Sequence, residues 1–186
     1  MNKLIIIIFA FTTIGYSQIN KDSSDGGGGI IYGYKHAFIL NAPKGWVLDN
    51  SSGVSDGLYA VFYPIGGSWQ GSNTVMYANT ASREVKVNAT RDMLIAYDMQ
   101  QFKNREPKIN IRDSESLLTR DNKMAIVKAF YGVHIEAVAY IEERSIIVLL
   151  TISANTEKQF NDAFPAFKEL VSSYMVITDD VKDNEK

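Results

Sequence analysis

Three consecutive segments, KMAIVKAFYG, HIEAVAYI and SIIVLLTIS, constrain this chain more than anything else in it. They are rich in β-branched and aromatic residues, follow one another across short polar breaks, and read as strands. The first and last carry apolar residues at odd and even positions alike. Both of their faces therefore need cover, which places them at the centre of a sheet. Two shorter runs, KINI and SLLT, come before them and after Pro107. In the first half, GIIYGYKHAFIL, GLYAVFYP and NTVMYANT are further strand segments, separated by the turn-forming stretches NAPKGW and DNSSGVSDG.

The period changes twice. From Thr90 to Glu106 the apolar residues Ile95, Met99 and Phe102 recur at i, i+4 and i+7 with Leu94 beside them, which predicts an amphipathic helix ended by Pro107. A second helix is expected over Thr156–Tyr174, with the stripe Phe160, Phe164, Phe167, Val171 and Tyr174. It opens on TEKQ, where Thr156 caps and Gln159 is placed to reach back as in a capping box. Pro165 lies inside it and removes one amide donor, so a kink is expected there.

The ends of the chain are of another kind. Residues 1–17 carry a single charge, Lys3, then the mostly apolar run Leu4–Ile14, then small residues at Gly15 and Ser17. That is the layout of a signal peptide cleaved between Ser17 and Gln18. The run is too short for the roughly 20 apolar residues of a membrane span. The chain has no cysteine, so neither a lipoprotein anchor nor a disulfide is available to the exported protein, which is expected in the periplasm or the medium. Residues 18–29 are polar and end in four glycines, a flexible linker, with no Gly-Lys-Ser/Thr to make a phosphate loop. Residues 178–186 read as a disordered acidic tail, which leaves one domain over 30–177. A formal charge of −2 with no basic run argues against nucleic acid and anionic membrane surfaces as partners.

The order of strands, helix, consecutive strands and terminal helix, together with APKGW, VFYP, VMYANT, YDMQQFK, AFYG, AVAYI and FPAFKELVSSY, resembles the PsbP-like superfamily, named for an extrinsic protein of the photosynthetic oxygen-evolving complex. The resemblance runs from about Ile30 to Val176. It implies an α+β fold, an antiparallel β-sheet flanked by helices in an α/β/α sandwich, and an exported binding or assembly module with a protein partner. The shared features are turns and packing aromatics. No metal-binding residue of the photosynthetic members is carried over, and no cofactor is expected.

PIGGSWQGSN, residues 64–73, invites comparison with a hydrolase elbow. G-x-S-x-G needs a glycine two residues after the serine and a helix to follow. Here Gly71 comes three after Ser68, and strand segments lie on both sides. The better reading is a recognition loop. Gly66, Gly67, Ser68 and Gln70 surround Trp69 with no apolar neighbour in sequence, and an exposed indole would serve as a binding anchor. The alternative is that Trp69 folds back over a sheet edge as a lid. Trp46, in PKGW, is expected to pack at a turn.

If EERS turns tightly around Glu143 and Arg144, Glu142 pairs with Ser145, His134 with Ser153, Glu136 with Thr151 and Tyr140 with Ile147. His134, Glu136, Thr151 and Ser153 would then share one face. One histidine and one carboxylate are too few ligands for zinc, so the set reads as a solvated or helix-edge polar patch, with a ligand site as the alternative. Asp113 with Glu115, Glu142 with Glu143, and Asp179 with Asp180 sit in turns or the tail, where solvation is sufficient explanation. Asn88-Ala89-Thr90 matches a glycosylation acceptor, and equally a helix start.

Three function classes follow in order: a binding or assembly module with a protein partner, a small-ligand or lipid carrier with a pocket between sheet and helix, and an envelope hydrolase. An enzyme should bring His36 or His134 against a carboxylate and a hydroxyl. A binding module should expose an aromatic surface.

Overall fold

The computed structural model describes residues 27–83 and 90–179. In chain order these form β1 (Gly28–Gly33), β2 (His36–Asn41), β3 (Trp46–Asp49), β4 (Ala60–Pro64), β5 (Thr74–Ser82), α1 (Arg91–Arg105), β6 (Asn110–Asp113), β7 (Leu117–Leu118), β8 (Met124–Tyr131), β9 (Ile135–Glu142), β10 (Ile146–Ala154), α2 (Glu157–Ser173) and β11 (Met175–Thr178). The main sheet runs β3-β4-β5-β10-β9-β8-β6, with β7 added on β8. Its ladders are antiparallel. As the hydropathy predicts, β10 is central and buried on both faces. The other fully covered strand is β9, whereas β8 alternates between inward and half-exposed residues. The apolar run of β8 had suggested cover on both sides, and its place next to the edge strand β6 is the reason it lacks it.

Sequence alternation assigns the two faces to different coverings. Phe130, Val138, Tyr140, Ile147 and Leu149 meet Ile95 and Phe102 of α1. On the opposite parity Ala137, Ala139, Ile141, Val148, Leu150 and Ile152 meet Phe160, Phe167, Leu170 and Val171 of α2, together with Ile31, Phe38 and Leu40. Those last three belong to a second sheet, β1-β2-β11, which the sequence reading had not separated from the first. GIIYGYKHAFIL is a hairpin within it rather than one strand, turned at Tyr34-Lys35, where Lys35 adopts φ 62.

This second sheet corrects both domain limits. Gly28 and Gly29, expected in the linker, pair with Asn41 and Leu40 in the β1–β2 ladder. Thr178, expected in the tail, is the last residue of β11, and Asp179 accepts hydrogen bonds from the backbone amides of Arg144 at 2.7 Å and Ser145 at 3.2 Å. The signal peptide, the rest of the linker, the remaining tail and Asn88-Ala89 lie outside the described residues.

Local signals set the helix ends. Thr90 accepts from the Met93 amide at 3.2 Å and Thr156 from the Gln159 amide at 3.3 Å, each satisfying one of the free donors of a first turn. The capping box is only half made, since the Gln159 side-chain oxygen is buried without a partner. α2 continues through Pro165. Pro165 and Asn161 are both exposed, so the Asn161 carbonyl that loses its helical donor faces water. Within the stripe Phe167 is fully buried, Phe164 only in part, and Leu170 joins them. Phe167→Ala is therefore expected to cost about 3–5 kcal/mol in urea unfolding, and Phe164→Ala clearly less. Equal losses would show that the burial difference along α2 is wrong.

Candidate functional site

The Pro64–Asn73 loop is a self-bonded turn. Gly67 donates to the Pro64 carbonyl at 2.9 Å and Ser72 to that of Ser68 at 3.0 Å, and the Ser68 hydroxyl accepts from the Gly71 amide at 3.1 Å. Gly66 adopts φ 83, a conformation that favours glycine. A side chain at Gly67 would meet Ser72 Oγ at 2.4 Å. The small residues thus serve a tight turn. The exposed indole expected here is absent: Trp69 is 3% exposed, packed on Leu58, Val61, Val75 and Tyr77, with Nε1 donating to Asp56 at 3.0 Å. Ser68 and Gln70 face solvent, but the anchor between them does not. The apolar partners come from β4, β5 and Leu58 just before β4, so Trp69 folds back onto the sheet instead of standing exposed as an anchor. Trp46 is buried as expected.

The hairpin also differs from its expected register. Glu142 pairs with Ile147 and Glu136 with Ser153, two residues away from the tight-turn pairing. The cause is Glu143, which points inward, takes the Tyr174 hydroxyl at 2.9 Å and the Lys123 ammonium, and leaves a wider loop. A two-residue shift keeps every side chain on its expected face. Glu136 therefore still lies with Ser153, whose hydroxyl donates to it at 3.1 Å, and with Thr151. His134 does not join them. It precedes β9, half-exposed, and shares no hydrogen bond with Glu136.

The patch is covered by α1 rather than solvated. Asp98 sits between Ile95 and Phe102 on the buried face of α1 and accepts from the Tyr140 hydroxyl at 2.9 Å. Tyr77 lies opposite Thr151 in the β5–β10 ladder and feels both Glu136 and Asp98. Asp98, Tyr77 and Tyr140 were missed in the sequence, although a carboxylate inside an apolar stripe is a visible signal for the first. Glu136 is 4% exposed and Asp98 2%, and each has one carboxylate oxygen, Oε2 and Oδ1, without a partner. Burial pushes the Glu136 carboxyl up to about 7, against the opposing pull of Ser153 and Arg105. Burial likewise lifts Asp98 to about 6, offset by Tyr140 and Arg105. Both phenols are held well above their ordinary value by burial and by these carboxylates.

Neither histidine completes a catalytic group. His36 is buried between Phe38 and Tyr59, with Nδ1 against the Tyr34 carbonyl at 2.9 Å and Nε2 unpartnered, and burial lowers its pKa. The carboxylate neighbours in turns turn out to be structural. Glu143 is buried, Asp113 pairs with Lys128 and Glu115 with Lys168.

Two outcomes follow. Trp69→Ala is expected to destabilise by about 3–5 kcal/mol, and in the parent both tryptophans should resist acrylamide quenching; free quenching of Trp69 in a Trp46→Phe background would contradict its burial. For Glu136, a raised folded-state pKa means that the native state holds a proton which the unfolded chain releases, so its stability is intact at acid pH and lost as pH rises through about 7. Glu136→Gln should therefore match the parent at pH 5 and exceed it by roughly 1–3 kcal/mol at pH 8 in chemical denaturation. His36 titrates with the opposite sign, equally in both proteins, and cancels from the difference.

No family model matches the chain, and no curated protein does. Among solved structures it is similar to the solution structure of cyanobacterial PsbP (CyanoP) from Synechocystis sp. PCC 6803, at 14% identity and TM-score 0.50, covering 90% of this chain and 96% of that one. A protein of unknown function, PA94 from Pseudomonas aeruginosa, aligns at 14% identity over 81% of this chain and 83% of its own, at TM-score 0.34, too loose an overlay to transfer anything. Identity this low speaks for the backbone alone, and there the resemblance read from the sequence is borne out: the chain has a PsbP-like fold, of α+β class with mostly antiparallel sheets and two helices.

Proposed function

We propose that this protein is an exported, non-catalytic binding or assembly module of PsbP-like type, with its helices and sheets layered as an α/β/α sandwich, that holds a protein partner in the cell envelope or outside the cell. The observation that carries this reading is the outer face of β1-β2-β11. The ladder sets Ile30, Ile39 and Met175 in one cross-strand row, and Tyr32 opposite Ala37 in the next, with Ile177 beside it. Tyr32 is 46% exposed, Ile177 48% and the neighbouring Tyr34 58%. Scattered apolar residues are ordinary on a surface, whereas rows of them with tyrosines at the rim mark an interaction site.

The separation of histidines from carboxylates supports the same reading. Among the described residues, the cluster of Glu136, Ser153 and Thr151 has no imidazole, and His36 has no carboxylate against it. A carrier would need room between helix and sheet. There the sheet meets Phe160, Phe167, Leu170 and Val171 on one side, and Ile95 and Phe102 on the other.

The test is a photo-crosslinking residue placed at Tyr32 and, as control, at exposed Asp162 of α2, in the producing cell. The expected result is a discrete protein adduct from position 32 and none from position 162. Equal labelling at both positions, or none at 32 with the protein folded and exported, would reject the proposed face.

A further inference from the structure

We propose that α1 is latched to the sheet by protons: with Asp98 and Glu136 protonated the seam beneath it is closed, and with both ionised α1 lifts from the sheet while the rest of the fold stays in place. The geometry points to this because the seam is polar at its middle. α1 presents Ile95, Asp98 and Phe102 inward in that order, so a carboxyl interrupts the only fully buried apolar contacts the helix makes. Beneath it lie Glu136 and Tyr140 of β9, Tyr77 of β5, and Thr151 and Ser153 of β10. On the same face of β8, Lys128 is already paired with Asp113 of β6.

Two carboxylate oxygens in this seam, Asp98 Oδ1 and Glu136 Oε2, have no donor. Arg105, whose charge acts on both, is bonded to neither; its Nε donates to the Gln101 carbonyl at 3.4 Å and its guanidinium lies over the Phe102 ring at 5.2 Å. An ionised carboxylate is an acceptor only, and buried without donors it is costly. A proton removes the charge and turns one oxygen into a donor. A metal ion is no alternative here, since among the described residues no set of three or more metal-ligating side chains converges.

The rest of the molecule has no such dependence at α2. Its buried face is Phe160, Phe167, Leu170 and Val171 without a charge, and it reaches β10, β2, β7, β5 and β9. α1 is held otherwise by half-buried Leu94 and Met99, by Arg91 donating to the Met124 carbonyl at 3.2 Å, and by Glu106 accepting from the Val133 amide at 3.1 Å. Those end contacts let the helix detach locally, without global unfolding. Release would bare Phe130, Val138 and Tyr140.

The experiment is native-state hydrogen exchange on the full chain at pH 5.5 and 8.5, corrected for the intrinsic pH dependence of exchange. Protection of the α1 amides should fall at least tenfold between the two, and at pH 8.5 the α2 amides should remain at least tenfold better protected than those of α1. In Asp98→Asn/Glu136→Gln the α1 protection should stay constant. Equal protection of α1 and α2 at pH 8.5, or no loss in α1, overturns the latch, and the wild-type comparison decides this even if the double variant does not fold. PH-dependent α1 exchange persisting in the folded double variant also overturns it.

Discussion

Everything in this fold depends on the β9–β10 ladder being buried on both faces. Two adjacent strands with apolar residues on both faces cannot stand at a sheet edge or face water on one side, so the chain has to deliver cover to both. It does so unequally. On one side α2 and the β1-β2-β11 sheet form a continuous apolar layer around Phe38, Phe160, Phe167 and Tyr174. On the other, α1 contributes only Ile95 and Phe102 fully, and the stacked pair Phe102–Phe130, with ring centroids 3.7 Å apart, anchors its C-terminal half. Trp69 closes the same face farther along, over Val75 and Tyr77.

The loop at the end of that ladder ties the layers together. Glu143 is held by Lys123 and the Tyr174 hydroxyl, while its carbonyl accepts from Arg83 at 2.6 Å. Lys123 in turn meets Asp121 at 3.3 Å. A buried carboxylate with an ammonium and a phenol against it is satisfied, whereas those of Asp98 and Glu136 are half-satisfied, and low dielectric amplifies the difference. The two kinds of buried acid have different consequences. The first locks the end of β9 to the C-terminus of α2, and the second leaves α1 dependent on its protonation state.

The proposed binding role rests on the apolar exterior of the smaller sheet. Among the described residues the buried Glu136, Ser153 and Thr151 have no imidazole against them, while Ile30, Tyr32 and Ile177 stand exposed on the outer face of the smaller sheet. The likeness to cyanobacterial PsbP concerns the arrangement of the chain, and these side chains are this protein's own.

The sequence by itself determined the features that depend on near neighbours. The strand segments, both helices, Thr90 and Thr156 as caps, Pro107 as a stop and the faces of the β9–β10 hairpin all follow from periods of two and 3.6 and from local hydrogen bonding. Tertiary structure decided whatever needed a distant partner. Tyr140 meets Asp98 across 42 residues, Asn41 meets Ser173 across 132, and neither distance leaves a local trace. Trp69 looks exposed in sequence because its neighbours there are small, yet the cost of wetting an indole is avoided by cover from Leu58 and from side chains of β4 and β5. The β9–β10 register moved by two because Glu143 found Lys123 and Tyr174 inside the fold. Alternation survived that shift, since a period of two is indifferent to it, and so the sequence could place Glu136 beside Ser153 on one face while only the packed structure could bring Asp98 down on top of them.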